Sequence, residues 1–160
     1  MILLSLCLFT SQIADETYIP RVSCPAVLQF IESLSPGATN THSACSVEIQ
    51  LRHAGLNDAM VIGALANAWH ESRWDASAVG DHGNSIGFWQ LNARGLGKGM
   101  GDLRYDHRIS TERIIESVKS QKLYETTAEG AAKTFCRKVM RPSDSFRKSL
   151  DRSLTTRLVE

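Results

Sequence analysis

The distribution of hydrophobic positions predicts a mainly helical protein organised around one apolar helix. Over residues 60–69, apolar side chains occupy nearly all sides of a helix, which is typical of a helix buried inside a domain. Asn57 or Asp58 can cap its beginning, and Glu71 lies near its C-terminal end. We therefore expect a buried central helix that ends at this glutamate, with the remaining elements packed around it.

Apolar residues at helical spacing predict further helices before and after the central one. Ser23 can cap the first, Gly55 can end the second, and the stretch 37–43 between them is polar and loop-like. Asp106 precedes the first helix on the C-terminal side. In chain order, these helices are expected over residues 24–34, 45–54, 109–118, 128–139 and 144–158.

Between residues 75 and 101 the helical pattern gives way to a glycine-rich segment, which indicates turns and close backbone approaches. The run Asp81–Asn84 is a candidate hairpin turn, and Ser85–Trp89 is a candidate short strand. Residues 95–101 are expected to form a loop at the edge of a cleft. The fold class is therefore mainly α (α+β), with a small β-hairpin or irregular insertion after the central helix and further helices at the C-terminus.

The length of 160 residues suits a single domain, which we expect over residues 23–160. Residues 1–22 form a separate N-terminal segment with an apolar run from Ile2 to Phe9. This run is too short to span a bilayer, and no Lys or Arg precedes it as in a typical signal peptide. The segment is either an export signal or an arm that packs on the domain or on a partner, and no stable membrane span is expected.

The overall charge narrows the classes of partner. A net charge of +1 argues against a general electrostatic interaction with nucleic acid, so no nucleic-acid partner is expected. The basic residues between positions 137 and 148 are interpreted as part of a solvated helical face.

Neither the cysteines nor the histidines predict a metal site. The four cysteines lack the paired spacing of a structural zinc site, and Cys24 and Cys45 either form a disulfide or stay reduced. His70 precedes a glutamate, but a zinc-protease motif needs a second histidine four residues later, where this chain has Trp74. We therefore predict no metal and no cofactor.

Glu71 is the leading candidate for a catalytic residue. Trp69 and Trp74 flank it in sequence, and apolar burial raises the pKa of a carboxyl group. The negative end of the helix macrodipole also disfavours a carboxylate at this position. A carboxylic acid that keeps its proton near neutral pH can protonate the leaving group when a glycosidic bond breaks.

Asp81 supplies a second carboxylate, ten residues further on in the candidate turn. From there it can fold back towards the helix end and activate water, attack as a nucleophile or stabilise a cationic transition state. Asp75 is closer in sequence to Glu71, but we expect it to cap the backbone where the helix ends. Glu71 and Asp81 are therefore the predicted catalytic residues.

Two stretches of the chain resemble a known group of proteins. The run Glu71–Asp75 followed by Gly80–Gln90 is similar to the lysozyme-like superfamily, in which a Glu-Ser pair closes a helix and a Ser-x-Gly-x-x-Gln element follows. Within it, the chain most resembles bacteriophage tail lysozymes, which are related to soluble lytic transglycosylases. Residues 134–142 resemble the same phage group, in which an aromatic-rich helix ends in Arg-Pro. The resemblance extends over roughly residues 57–158.

The resemblance implies a lysozyme-like fold that cleaves the β-1,4 bond between N-acetylmuramic acid and N-acetylglucosamine in peptidoglycan. Glu71 is then the general acid, and Ser72, Ser85 and Gln90 line the cleft, where they orient the acid or bind the sugar. Many family members have a small aliphatic pair before the glutamine, whereas this chain has Phe88-Trp89. These two aromatic residues either stack on sugar rings or fill the core.

Three functional hypotheses follow. The first is a hydrolase that uses Glu71 and Asp81, and the second is a lytic transglycosylase that uses Glu71 alone and forms anhydro-muropeptides. The third is a non-catalytic module that binds the wall or forms part of a virion. The resemblance implies peptidoglycan glycan strands and phage tail proteins as partners. It also implies an enzyme that is associated with the virion or delivered to the bacterial periplasm or cell wall, with secretion as the alternative.

Overall fold

The computed structural model describes residues 24–27 and 40–140. These residues form a mainly helical protein with a small antiparallel sheet, which confirms the predicted mainly α (α+β) class. The N-terminal segment 1–22, most of the helix expected over residues 24–34 and the helix expected over residues 144–158 lie outside the described residues. In the part of the chain that is described, no helix is both long and apolar enough to cross a membrane.

Helix α1, Thr41–His53, begins four residues earlier than the sequence predicts. The polar run at its start suggested a loop, but Ala44 in the first turn is fully buried, and this packing outweighs the weak helix propensity of its neighbours. Gly55 ends the helix as predicted, with a φ of 88°. The Leu56 amide donates to the Leu51 carbonyl oxygen at 3.2 Å, which completes a Schellman cap.

Helix α2, Asp58–Ser72, is the predicted central helix, and the core is built around it. Asn57 caps it, because its Oδ1 accepts from the Met60 amide at 2.9 Å. Gly63 permits a close helix crossing, since a Cβ there would lie 2.6 Å from the Cβ of Ala131. Glu71 is the last residue but one, so the prediction of a buried helix that ends at this glutamate is confirmed.

A three-stranded antiparallel sheet follows the central helix, with strands β1, Val79–Gly80, β2, Ser85–Ile86, and β3, Leu91–Asn92, in that order. A single 3₁₀ turn, Asp81–Gly83, connects the first two strands. The hairpin expected at Asp81–Asn84 is therefore present.

The predicted strand Ser85–Trp89 is wrong beyond Ile86, and the third strand was not predicted. Gly87 adopts a φ of 83°, and the Gln90 amide donates to the Gly87 carbonyl oxygen at 3.0 Å. The chain therefore turns at this glycine, and the two aromatic residues of the predicted strand lie in the turn.

A 3₁₀ helix, Gly101–Tyr105, and two longer helical segments complete the described structure. Helix α3, His107–Ser120, begins at Asp106 as predicted, since the Asp106 carboxylate accepts from the Arg108 amide at 2.8 Å. Helix α4, Ala128–Thr134, continues as a π-helical segment, Phe135–Met140. The single helix expected over residues 128–139 therefore changes from α-helical to π-helical pitch. Such π-helical segments are rare in proteins, and many of them lie at functional sites.

Candidate active site

Glu71 lies in the last turn of α2, where the chain reverses direction. Arg73 and Trp74 both have left-handed backbone conformations, with φ values of 57° and 61°. The Trp74 ring is fully buried, and its Nε1 donates to the Leu65 carbonyl oxygen at 2.9 Å. Trp69 packs edge-on against it, with ring centroids 5.0 Å apart. The two tryptophans thus anchor the reversal, and neither is among the residues that line the cleft.

Burial raises the pKa of Glu71 from 4.5 to about 7, and the negative charge of Asp81 adds to the rise. Both causes disfavour the ionised carboxylate. The direction predicted from sequence is confirmed, with burial as the larger cause. Near neutral pH a substantial fraction of Glu71 therefore holds a proton that it can donate.

Asp81 begins the tight turn between β1 and β2, with a φ of 49° that is costly for a residue other than glycine. Its carbonyl oxygen accepts from the Asn84 amide at 3.1 Å and from Asn84 Nδ2 at 2.9 Å. The Ser85 hydroxyl donates to Asp81 Oδ2 at 2.6 Å. The turn therefore holds an exposed carboxylate in a defined place beside Glu71.

Glu71 and Asp81 line the same cleft, which has a volume of about 750 Å³. This volume is in the usual range for ligand sites in proteins. The end of α2 and the hairpin of β1 and β2 each contribute one carboxyl group to the cleft. Residues from three further regions complete it: Asn92, Arg94, Gly95 and Leu96 from β3 and the loop after it, Ser117 and Gln121 from α3 and its end, and Lys138–Met140 from the π-helical segment. Residues 95–101 were expected to form a loop at the cleft edge, and the first two of them, Gly95 and Leu96, line the cleft.

Ser85 and Gln90 also line the cleft, as the resemblance implied, but the Ser85 hydroxyl and Gln90 Nε2 are engaged within the protein. Gln90 Nε2 donates to the carbonyl oxygens of Ala78 and Gly87, each at 3.0 Å. Gly80 makes room for this side chain, because a Cβ there would lie 2.5 Å from Gln90 Oε1. Gln90 Nε2 therefore links the residue before β1 to the turn after β2.

Ser72, by contrast, is not among the cleft-lining residues. Its hydroxyl lies 2.7 Å from the Phe88 carbonyl oxygen and 3.2 Å from that of Ala68. Only 8% of Ser72 is exposed, so these backbone acceptors occupy the hydroxyl. The structure thus corrects the expectation of a cleft position: Ser72 links the end of α2 to the turn after β2, directly beside Glu71.

Phe88 and Trp89 are core residues and are fully buried. Trp89 Nε1 donates to Thr111 Oγ1 at 2.8 Å, which ties the turn after β2 to α3. The two rings pack edge-on, with centroids 5.3 Å apart. Of the two roles considered from sequence, filling the core is therefore correct.

Five polar residues of the cleft were not predicted from the sequence: Asn92, Arg94, Ser117, Gln121 and Lys138. Asn92 lies on the strand that was not predicted, so no pattern placed it opposite Ser85. Arg94 stands in the loop after that strand. Lys138 was assigned to a solvated helical face; it is indeed exposed on the π-helical segment, and it also lines the cleft. Regular helical spacing could not place Lys138, because no sequence signal indicated the π-helical pitch.

Two of the cysteines considered from the sequence, Cys24 and Cys45, lie in the described part of the structure. Cys24 and Cys45 are reduced and in contact, and burial together with this contact raises the pKa of Cys45 to about 12. Within residues 24–27 and 40–140, no cluster of three His, Cys, Asp or Glu residues is arranged to hold a metal ion.

No family model matches the chain, and neither a curated protein nor a solved structure matches it. Inferences about function therefore depend on the geometry of the cleft and on the resemblance carried by residues 71–90.

Proposed function

We propose that the protein is a lysozyme-like peptidoglycan glycosidase that cleaves the β-1,4 bond between N-acetylmuramic acid and N-acetylglucosamine. The observation that carries this proposal is the pairing of two carboxyl groups in one cleft. One of them, Glu71, is partly buried and has a pKa of about 7, and the other, Asp81, is exposed. Two carboxyl groups in unlike environments are the usual requirement of glycoside hydrolysis.

Glu71 acts as the general acid in this proposal. Breaking a glycosidic bond releases a poor leaving group, which needs a proton as the bond lengthens. The raised pKa keeps that proton available near neutral pH, so activity should fall as the pH rises through about 7. The link from Ser72 to the Phe88 carbonyl oxygen holds the helix end, and with it the acid, against the sheet.

Asp81 serves as the second carboxylate, which directs water or stabilises the positive charge that develops on the sugar ring. Its hydrogen bond from Ser85 holds the carboxylate in the cleft, where its charge influences Glu71. A lytic transglycosylase does not need such a residue. The presence of Asp81 therefore favours hydrolysis over transglycosylation.

The composition of the cleft suits an anionic glycan. Arg94 and Lys138 line it together with the two carboxyl groups. Peptidoglycan carries carboxylates on its muramic acid and on its stem peptides, and these can pair with cations at the cleft edge. The helical architecture around a helix that ends at Glu71 agrees with the lysozyme-like fold that the resemblance implies.

The proposed setting also follows from the resemblance. A phage enzyme of this kind is carried with the virion tail proteins and opens the wall from the periplasmic side or at the cell surface. A secreted bacterial enzyme is the alternative setting. Neither setting changes the chemistry proposed for the cleft.

Mass spectrometry of digested peptidoglycan tests the proposal, with wild type, Glu71→Gln and the matched control Glu112→Gln. Glu112 is exposed on α3 and is not a cleft residue. Wild type and Glu112→Gln should release muropeptides with reducing ends at equal rates. Glu71→Gln should be slower by about 10³-fold, because general acid catalysis is lost.

Each other outcome has a defined meaning. Anhydro-muropeptides as the main product would replace the hydrolase with a lytic transglycosylase. Equal rates for Glu71→Gln and wild type would remove Glu71 from catalysis. No release by wild type from any of several walls would favour the non-catalytic module.

A further inference from the structure

The Ser85 hydroxyl faces Asp81 instead of open solvent. Its Oγ donates to Asp81 Oδ2 at 2.6 Å, and Ser85 is only 5% exposed. Asn92 Nδ2 in turn donates to Ser85 Oγ at 3.2 Å. A hydroxyl has one hydrogen, so an Asn92 donor on its oxygen leaves that hydrogen directed at Asp81. The three side chains form a chain of hydrogen bonds that ends on the carboxylate.

The sheet register brings these side chains together. Ser85 on β2 pairs directly with Asn92 on β3. Side chains of directly opposed residues lie on the same face of a sheet, about 5 Å apart at Cβ, within hydrogen-bonding reach. A slip by one residue would move Asn92 to the other face and break the chain.

Arg104 clamps this register. Its Nη1 donates to the Asn84 carbonyl oxygen at 2.7 Å and to the Leu91 carbonyl oxygen at 2.8 Å. These acceptors immediately precede Ser85 and Asn92 in sequence. Arg104 is 7% exposed, and none of the ion pairs found among the described residues includes it. A buried guanidinium that bonds only to backbone carbonyl oxygens serves to hold the backbone.

We propose that Ser85 and Asn92 are positioning residues that act through Asp81, with Arg104 maintaining the strand register that aligns them. This inference rests on the proposed glycosidase function. It also replaces the substrate-binding role that the resemblance implied for Ser85. The Ser85 hydroxyl is committed to Asp81 Oδ2, and within residues 40–140 no donor reaches Oδ1, which is left for water or the sugar ring.

A double-mutant cycle on the full-length protein tests the proposal, with Ser85→Ala made in wild type and in Asp81→Asn. In wild type, Ser85→Ala should lower kcat by about 10- to 100-fold with KM unchanged, because the Asp81 carboxylate is no longer held in the orientation that catalysis needs. In the Asp81→Asn background, the same substitution should have no further effect. Asn92→Ala should show the same dependence on Asp81 with a smaller loss, and Ser85→Thr should restore activity because it keeps the hydroxyl.

A second readout does not depend on activity. Asp81 contributes to the raised pKa of Glu71. Ser85→Ala removes the hydrogen bond that holds the Asp81 carboxylate near Glu71. The pKa of Glu71 should therefore fall towards the pKa that Glu71 has in Asp81→Asn. The Glu71 carboxyl carbon, followed by NMR during a pH titration, reports this change even if no substrate is cleaved.

The outcomes separate the two claims. A Ser85→Ala loss that raises KM and persists in Asp81→Asn would show that Ser85 binds substrate, which overturns the positioning role alone. An unchanged Glu71 pKa in folded Ser85→Ala would overturn it as well. Wild-type inactivity on all walls would refute the glycosidase proposal, and the Glu71 titration would still decide whether Ser85 holds Asp81. Ser120→Ala, at the exposed end of α3, is the matched serine control and should behave as wild type.

Discussion

The two sides of the cleft that carry the carboxyl groups are stabilised by different forces. Glu71 stands on α2, whose side chains are mostly buried in the apolar core. Asp81 stands on a hairpin of two-residue strands, which is held by the Ser85 and Arg104 hydrogen bonds and by left-handed turns. The helix thus provides burial, which raises a pKa, and the hairpin provides an exposed, oriented charge. The same residue type is suited to two roles by its surroundings.

The hairpin side depends most on backbone geometry, so substitutions of its glycines should have the largest effect on the free energy of unfolding. Gly87 has a φ of 83°, and a Cβ there would lie 2.0 Å from the Arg104 carbonyl oxygen. Gly87→Ala should lower the free energy of unfolding by about 3–5 kcal/mol, from backbone strain together with this clash. Gly83 is the matched control, because its φ is 89° and no atom of the described residues lies within 4 Å of an added Cβ.

Gly83→Ala should therefore lower the free energy of unfolding only by the backbone strain of the left-handed conformation, about 1–2 kcal/mol. Urea denaturation of the two variants measures the difference. Equal losses would contradict the close approach of the Arg104 carbonyl oxygen to Gly87.

On the helix side, we expect a smaller change in the free energy of unfolding, and its size depends on pH. The pKa of Glu71 is raised in the folded protein, so its favourable contribution to stability is complete below pH 4.5 and is lost as the pH rises through about 7. Glu71→Gln removes this buried charge. The variant should gain up to roughly 3 kcal/mol relative to wild type at a pH of about 8, and the gain should vanish at low pH.

Chemical denaturation at several pH values, with Glu112→Gln as control, measures this gain. The variant would then be catalytically impaired and more stable, which is the usual trade-off at a functional site. If Glu71→Gln were no more stable than wild type at high pH, the carboxylate would not be buried as described.

The sequence predicted the helix side better than the hairpin side, for physical reasons. A buried helix leaves a continuous apolar pattern, and its ends carry local signals such as Asn57 and Gly55. Strands of two residues are too short to show alternation, so β3 and Asn92 could not be predicted. The turn at Gly87 was missed because Phe88 and Trp89 favour strands, although burial against α3 determines their conformation.

Side-chain roles were harder to predict than positions. The resemblance implied that Ser72 and Ser85 line the cleft, and of the two only Ser85 is among the lining residues. Which groups a hydroxyl bonds depends on contacts between distant residues, such as that of Ser72 with Phe88. For the same reason, the raised pKa of Glu71 was predicted in direction, while the packing of Trp69 and Trp74 away from the cleft was not.

The most direct test of the account is the pKa of Glu71 itself, measured by NMR of the glutamate carboxyl carbons during a pH titration. One resonance should titrate at about 7, be absent from Glu71→Gln and shift to lower pH in Asp81→Asn, by less than the whole rise because burial is the larger cause. If the Glu71 carboxyl group instead titrated near 4.5 in the folded wild type, it would be ionised at neutral pH. That result would contradict its assignment as the general acid.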